Sequence, residues 1–330
     1  MHSNEEITFQ TRSKLDCSLY DNDHDILAAF PFHVDLNQKD AFYSTNANEL
    51  VENQINRIVI QNETVLPLTF FCLERLTYFG IFNSRIIPFF SDNDADYQFP
   101  SEIERLASSL TSIVITNTKI TQLPDEFGKL KHLWSLEMHN TGLVDLPNTF
   151  GNLTSLQFLR LNNNNFVSLP KTISNIESFN MIILDDNSRL RSLESFSGTR
   201  NLKHLYARNC VIDRIPYDVP DLEYLLLWNN NITNLYGIET LGYNTNANKT
   251  FVFDFNRINS IPPEIRAVRN LNHLSLSNNQ LISLPMEIFQ IDTLVSLRSS
   301  ANAQPSGKNH PLEEILCEPL ASFSATNVQW

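Results

Sequence analysis

The sequence predicts an α/β solenoid: stacked coils with a parallel β-sheet on the concave face and short helices, 3₁₀ turns or loops on the convex one. Two observations carry this expectation. Apolar residues recur as a group every 23 residues, with first positions at Leu110, Leu133, Leu156, Phe179 and Leu202. Within each copy, positions 1, 4 and 6 are apolar over a short alternating run, and a turn residue then breaks the pattern. Leu156, Leu159 and Leu161 do so ahead of Asn164. A unit this short cannot bury its own leucines, so copies must stack and share one continuous core. Burial of each leucine contributes about 1.5–3 kcal/mol, ample apolar area for a stack of this length.

The clearest copies read LTSIVITNTKITQLP, LWSLEMHNTGLVDLP and LQFLRLNNNNFVSLP. FNMIILDDNSRLRSL, LKHLYARNCVIDRIP, LEYLLLWNNNITNL and, from Leu271, LNHLSLSNNQLISLP continue the register. Phe251, Phe253, Asn256 and Ile258 mark a copy without its first leucine. Its nominal start is Asn248, so the steps of 20 and 26 residues from Leu202 through Leu222 sum to two normal repeats, as an indel on the outer side would give. Weaker copies begin at Ile55 and Leu76, and a fading one runs from Leu294 to Asn302, which makes eleven in all. Between strands, Pro147 after Leu146 and Gly151 after Phe150 argue for one helical or 3₁₀ turn rather than a long helix. These boundaries assign residues 51–302 to the solenoid, 1–50 to an N-terminal cap with an acidic arm expected to be disordered, and 303–330 to a C-terminal cap. In the last of these, Pro311 opens and Pro319 closes a short helix, LEEILC.

The pattern L-x-x-L-x-L-x-x-N/C-x-L resembles the leucine-rich repeat. That resemblance implies that the Asn column (Asn164, Asn187, Asn230, Asn256, Asn279 and Asn302) forms a ladder of bonds to backbone groups at the turn. Thr118, Thr141 and Cys210 fill the same column, so Cys210 reads as a structural thiol rather than a nucleophile or ligand. The spacers LPDEFGKLKHLWSL and LPNTFGNLTSLQFL resemble those of the intracellular Ras-group type of leucine-rich repeat protein. The likeness implies a non-catalytic scaffold or regulator in signalling; a monomer that holds a protein partner on its concave face is expected. It also implies that side chains at positions 3, 5, 7 and 8 point into that face.

Read along those positions, the outer copies offer small or polar groups, such as Ser112, Thr116, Ser275 and Ser277. The middle differs: Phe158 and Arg160, then Met181, Ile183 and Asp185, then His204, Tyr206 and Arg208, then Tyr224, Leu226 and Trp228. Adjacent strands lie about 4.8 Å apart, so these residues are neighbours on one sheet. An apolar and aromatic patch rimmed by charge is the usual make-up of an interface hot spot. The alternative is that these side chains simply cover the strands and pack on one another.

The chain of 330 residues carries a formal net charge of -13 and a pI near 5.0, a field that repels nucleic acid. No stretch approaches the ~20 apolar residues that span a bilayer, so no membrane insertion is expected. Cys17, Cys72, Cys210 and Cys317 are scattered, and reduced thiols in a cytoplasmic protein are the simpler expectation. Against it stand four acceptor sequons, at Asn62, Asn152, Asn231 and Asn248, which suit an extracellular recognition or adhesion ectodomain if the chain is a fragment of an exported protein. No enzyme constellation, cofactor or metal site is expected: eight glycines form no phosphate loop, and neither H-E-x-x-H nor C-x-x-C occurs. Asp185 and Asp186 are adjacent but point apart, so they read as a solvated rim rather than paired catalytic acids.

Overall fold

The computed structural model describes residues 15–34, 49–51, 54–86 and 97–302. The expected LEEILC helix, the 303–330 cap and much of the acidic arm lie outside the described residues.

Each of the eleven copies contributes one strand to a single sheet. A short β1 (Glu49–Val51) pairs antiparallel with β2 (Gln54–Gln61). Thereafter every neighbour is parallel and follows chain order: β3 (Tyr78–Phe82), β4 (Ser112–Thr116), β5 (Ser135–His139), β6 (Phe158–Arg160), β7 (Met181–Ile183), β8 (His204–Tyr206), β9 (Tyr224–Leu226), β10 (Lys249–Val252), β11 (Leu271–Ser275) and β12 (Ser296–Arg298). Register keeps equivalent positions side by side, Leu136 against Leu159 and Leu159 against Ile182. The position 1, 4 and 6 residues fill one continuous core running from Ile26 to Leu297.

The return paths are 3₁₀ turns, as the Leu-Pro punctuation predicts. Proline at the N-cap sets an extended φ, and its carbonyl accepts a bond from the buried apolar residue three positions on: Phe127 to Pro124, Phe150 to Pro147, Ile173 to Pro170. Gly128 and Gly151 follow the buried phenylalanines, and they lie where one coil touches the next. A Cβ on Gly151 would run into the Thr172 carbonyl oxygen, well inside van der Waals contact. Gly151→Ala is therefore expected to cost about 1–3 kcal/mol by forcing two coils apart, read as a lower urea midpoint.

The Asn ladder holds the inner turns. Asn164 is buried; its Oδ1 accepts from the backbone nitrogens of Thr141, Gly142 and Leu143 and from the Thr141 hydroxyl, while its Nδ2 donates to the Met138 and Leu161 carbonyls. Asn230, Asn256, Asn279 and Asn302 repeat the arrangement. Cys210 stands in the same column with Sγ 3.6 Å from the Leu184 carbonyl oxygen; burial pushes its thiol up to about 12, which leaves it inert. One position earlier runs a second, exposed ladder. Asn117, Asn140, Asn163, Asp186, Asn209 and Asn229 all sit at positive φ, where Asn and Asp are tolerated. Their side chains bond along the stack, for example Asn140 Nδ2 to Asn117 Oδ1 at 2.7 Å.

The indel between Leu222 and Leu271 leaves the sheet intact, with Thr250 opposite Tyr224 and Phe251 opposite Leu225. Lys249 lies inside this coil. It is fully buried, yet its Nζ donates to the carbonyls of Thr245, Ala247 and Arg269, and burial lowers its pKa.

At the N-terminal end, helix α1 (Asp23–Ala28) is capped by Asn22 Oδ1 and seats Ile26, with Phe30 just beyond it, on the core. The expectation of reduced thiols fails here, because Cys17 and Cys72 form a disulfide with Cα atoms 5.4 Å apart. They are 55 residues apart in sequence, and α1 crossing the first coil is what brings them together. Sequence spacing does not report that approach. Among the described residues Cys210 is the free cysteine.

Candidate functional site

All eleven residues expected on the concave face lie on, or just past, strands β6 to β9, and they form a layer separate from the main core. Met181, Ile183, Tyr206 and Leu226 are its buried members, with Phe158, Tyr224 and Val252 packed against them. The sequence expects an exposed apolar patch. The structure instead gives a close-packed apolar floor with polar and aromatic groups standing above it. The reason is geometric: at a strand spacing of about 4.8 Å, large side chains at positions 3 and 5 cover one another. Phe158, Arg160, His204, Arg208, Tyr224 and Trp228 keep part of their surface open.

Two devices hold the upper layer. His204 stacks on Tyr224 with ring centroids 4.8 Å apart and planes 12° from parallel, and its Nδ1 lies 3.2 Å from the Tyr206 hydroxyl. Burial lowers the His204 pKa, favouring the neutral ring, and burial also pushes Tyr206 up to about 12. Asp185, 2% exposed, accepts from the Arg208 backbone nitrogen at 2.8 Å and from its guanidinium at 2.6 Å. That bond to Asp185 raises the Arg208 pKa. Asp254 repeats the device, accepting from Ser277 N and Ser275 Oγ, both at 2.7 Å. Asp185 and Arg208 are thus a pinned pair, whereas Asp186 is exposed and belongs to the outer ladder.

Arg160 is held more loosely. Its Nη1 is 3.7 Å from Glu137 Oε2, and its Nε has no hydrogen-bond partner. Burial raises the Glu137 pKa despite the arginine, and burial lowers that of His139. Trp228 closes the other side, 6.2 Å from Phe255. The arrangement offers apolar area, ring faces and a guanidinium, which suits binding. Among the described residues no cluster of His, Cys, Asp and Glu could hold a metal, and no helix is long and apolar enough to cross a membrane.

Of the sequons, Asn62, Asn152 and Asn248 are exposed and Asn231 is half-buried. Sequence reasoning missed Val252 and Phe255 at the edge of the site, although the register of their copy, with its nominal start at Asn248, puts them at the inward positions 5 and 8. It also missed three outer tyrosines. The signal for those was present: aromatic residues stand in columns that hold proline or polar residues in the clear copies.

Comparison with known proteins agrees with the repeat fold. A family model described as "Leucine-rich repeat region" matches residues 101–214, and one described as "Leucine Rich Repeat" matches residues 270–291. The molecule is a leucine-rich repeat solenoid. A segment of 107 residues, 32% of this chain, is 32% identical to the volume-regulated anion channel subunit LRRC8D of Rattus norvegicus. It spans 12% of that protein's length. Among solved structures, the plant peptide hormone receptor RGFR1 in complex with RGF2 aligns at 19% identity and a TM-score of 0.55, covering 73% of this chain and 42% of the receptor chain. An internalin (inlF) from Listeria monocytogenes aligns at 18% identity and a TM-score of 0.51, covering 76% of this chain and 74% of the other. At such identities these two likenesses show the fold alone.

Proposed function

We propose that this chain is a non-catalytic, monomeric scaffold or regulator that binds a protein partner over strands β6 to β9. The observation that carries the reading is the second apolar layer on the concave face, distinct from the core, with Arg160, His204 and Trp228 standing above it. Stacked coils are already stabilised by the leucine columns, so the coil itself does not require aromatic residues on the inner face. Fully desolvated aromatic anchors dominate the energetics of many interfaces, and arginine is enriched beside them. Trp228→Ala is expected to weaken capture of the partner from source-cell lysate by about 2 kcal/mol, roughly thirtyfold in Kd, with an unchanged melting temperature. Equal losses of binding and melting temperature would assign Trp228 to packing instead.

The spacers around Gly128 and Gly151 support the Ras-group type and a role in signalling. The Cys17–Cys72 disulfide favours a second reading, because such bonds persist in oxidising compartments and are rare in the cytosol. In that reading the chain is an exported recognition module, and the exposed Asn62, Asn152 and Asn248 become glycan acceptors. Intact mass of protein from its native source, alkylated before reduction, separates the two. Added hexose mass with Cys17 and Cys72 protected supports export, while four alkylated thiols and no glycan support the cytoplasm.

A further inference from the structure

The outer side of the coils between β8 and β10 carries an aromatic surface that the repeat does not call for. Tyr217, Tyr236 and Tyr243 are 54%, 70% and 49% exposed. They form one patch. The Tyr217 Cβ lies 3.7 Å from where a side chain on Gly237 would begin, Tyr236 precedes that glycine, and the Tyr243 hydroxyl donates to Asp218 Oδ1 at 3.0 Å. In the clear copies the column of Tyr217 holds Asp125, Asn148 and Lys171, and that of Tyr236 holds proline. Exposed tyrosines there contribute little to the core, and a patch of this kind marks an interaction surface.

Its charge selects the partner. From residue 213 to 248 the chain has five acidic residues and one basic residue, Arg214; Asp213 is paired with Arg214 and Glu223 with Lys203, while Asp218, Asp221 and Glu239 are in no salt bridge among the described residues. Asp218 and Asp221 lie at the patch itself, and Asp221 also holds Asn244 and the Asn201 backbone. The charge of Arg200 also acts on Tyr243. Tyrosine faces beside carboxylates attract cations through the ring quadrupole and the ion pair together. The molecule makes the ring contact twice elsewhere, with the Arg57 guanidinium 4.3 Å from the Tyr78 centroid and Lys119 Nζ 3.8 Å from that of Tyr97. We infer that Tyr217, Tyr236 and Tyr243 form a second docking surface, for a cationic peptide segment rich in arginine and lysine. It lies in the outer segments of the coil and does not depend on the concave site.

Fluorescence anisotropy of a labelled nona-arginine peptide against the full chain at physiological salt tests this. Saturable binding is expected, weakened about tenfold in a Tyr217→Ser, Tyr236→Ser double variant and unchanged in Trp228→Ala. If the double variant melts lower, Tyr236→Ser alone replaces it, with a loss of about threefold expected at the most exposed ring. Absence of saturable binding, equal affinity in the tyrosine variants, or a loss in Trp228→Ala alone would each overturn the proposal. So would binding of a neutral oligosaccharide, cellohexaose, at these tyrosines in place of the peptide.

Discussion

Asn164→Ala is expected to lower the unfolding free energy by about 4 kcal/mol, more than any surface change in this chain, because one buried side chain serves both neighbouring turns. Its Oδ1 is shared by three backbone nitrogens and one hydroxyl, and its Nδ2 reaches carbonyls of two successive coils. Alanine leaves these groups buried and unpaired, and each such group costs about 1–3 kcal/mol when water cannot replace the lost partner. Asn164→Asp keeps the acceptor but turns a second acceptor toward the Met138 and Leu161 carbonyls, so a comparable loss is expected. Urea denaturation measures the size of the effect. Hydrogen exchange measures its place: stability in a solenoid is a sum over neighbours, so protection should fall first in β5 and β6. A loss below about 1 kcal/mol would mean that the ladder is decoration.

Removing the Cys17–Cys72 bond by Cys17→Ser is expected to cost about 4 kcal/mol on the chain-entropy account, since the link closes a loop across a sequence separation of 55 residues. The effect should be local as well. The bond pins α1 over the first coil, where Ile26 and Phe30 meet the core. Its loss should release the N-terminal segment and uncover Phe70 and Phe71, which are fully buried in the intact protein. A lower first melting transition in Cys17→Ser, reproduced by reductant on the wild type, with no further shift when reductant is added to the variant, is the expected set. No response to reductant in the wild type would contradict it.

The apolar columns were readable because they repeat in register, and the 3₁₀ turns because Leu-Pro punctuates them. The indel at Asn248 was readable as a sum of steps. The compensation by Lys249 was not, since a lysine reads as a surface residue until three carbonyls are seen around it. The Cys17–Cys72 pair was hidden because the N-terminal segment has no repeat register to place it. At the site, the likeness to the leucine-rich repeat is what assigned all eleven residues to one face. Depth was not legible: alternation gives direction, but whether Met181 or Tyr206 stands clear of its neighbours depends on the size of side chains one strand away. The Asp185 device was equally hidden, because nothing in a lone aspartate announces a bond to a backbone nitrogen 23 residues later.

Site-specific photo-crosslinking tests the concave assignment most directly. A photoreactive residue would replace His204 on the concave face or, in a second protein, Asn148 on the convex face, each introduced into the source cells. A discrete protein adduct is expected from position 204, absent from position 148 and lost when Trp228→Ala is added. An adduct from position 148 alone, or one from position 204 that survives Trp228→Ala at full yield, would contradict it.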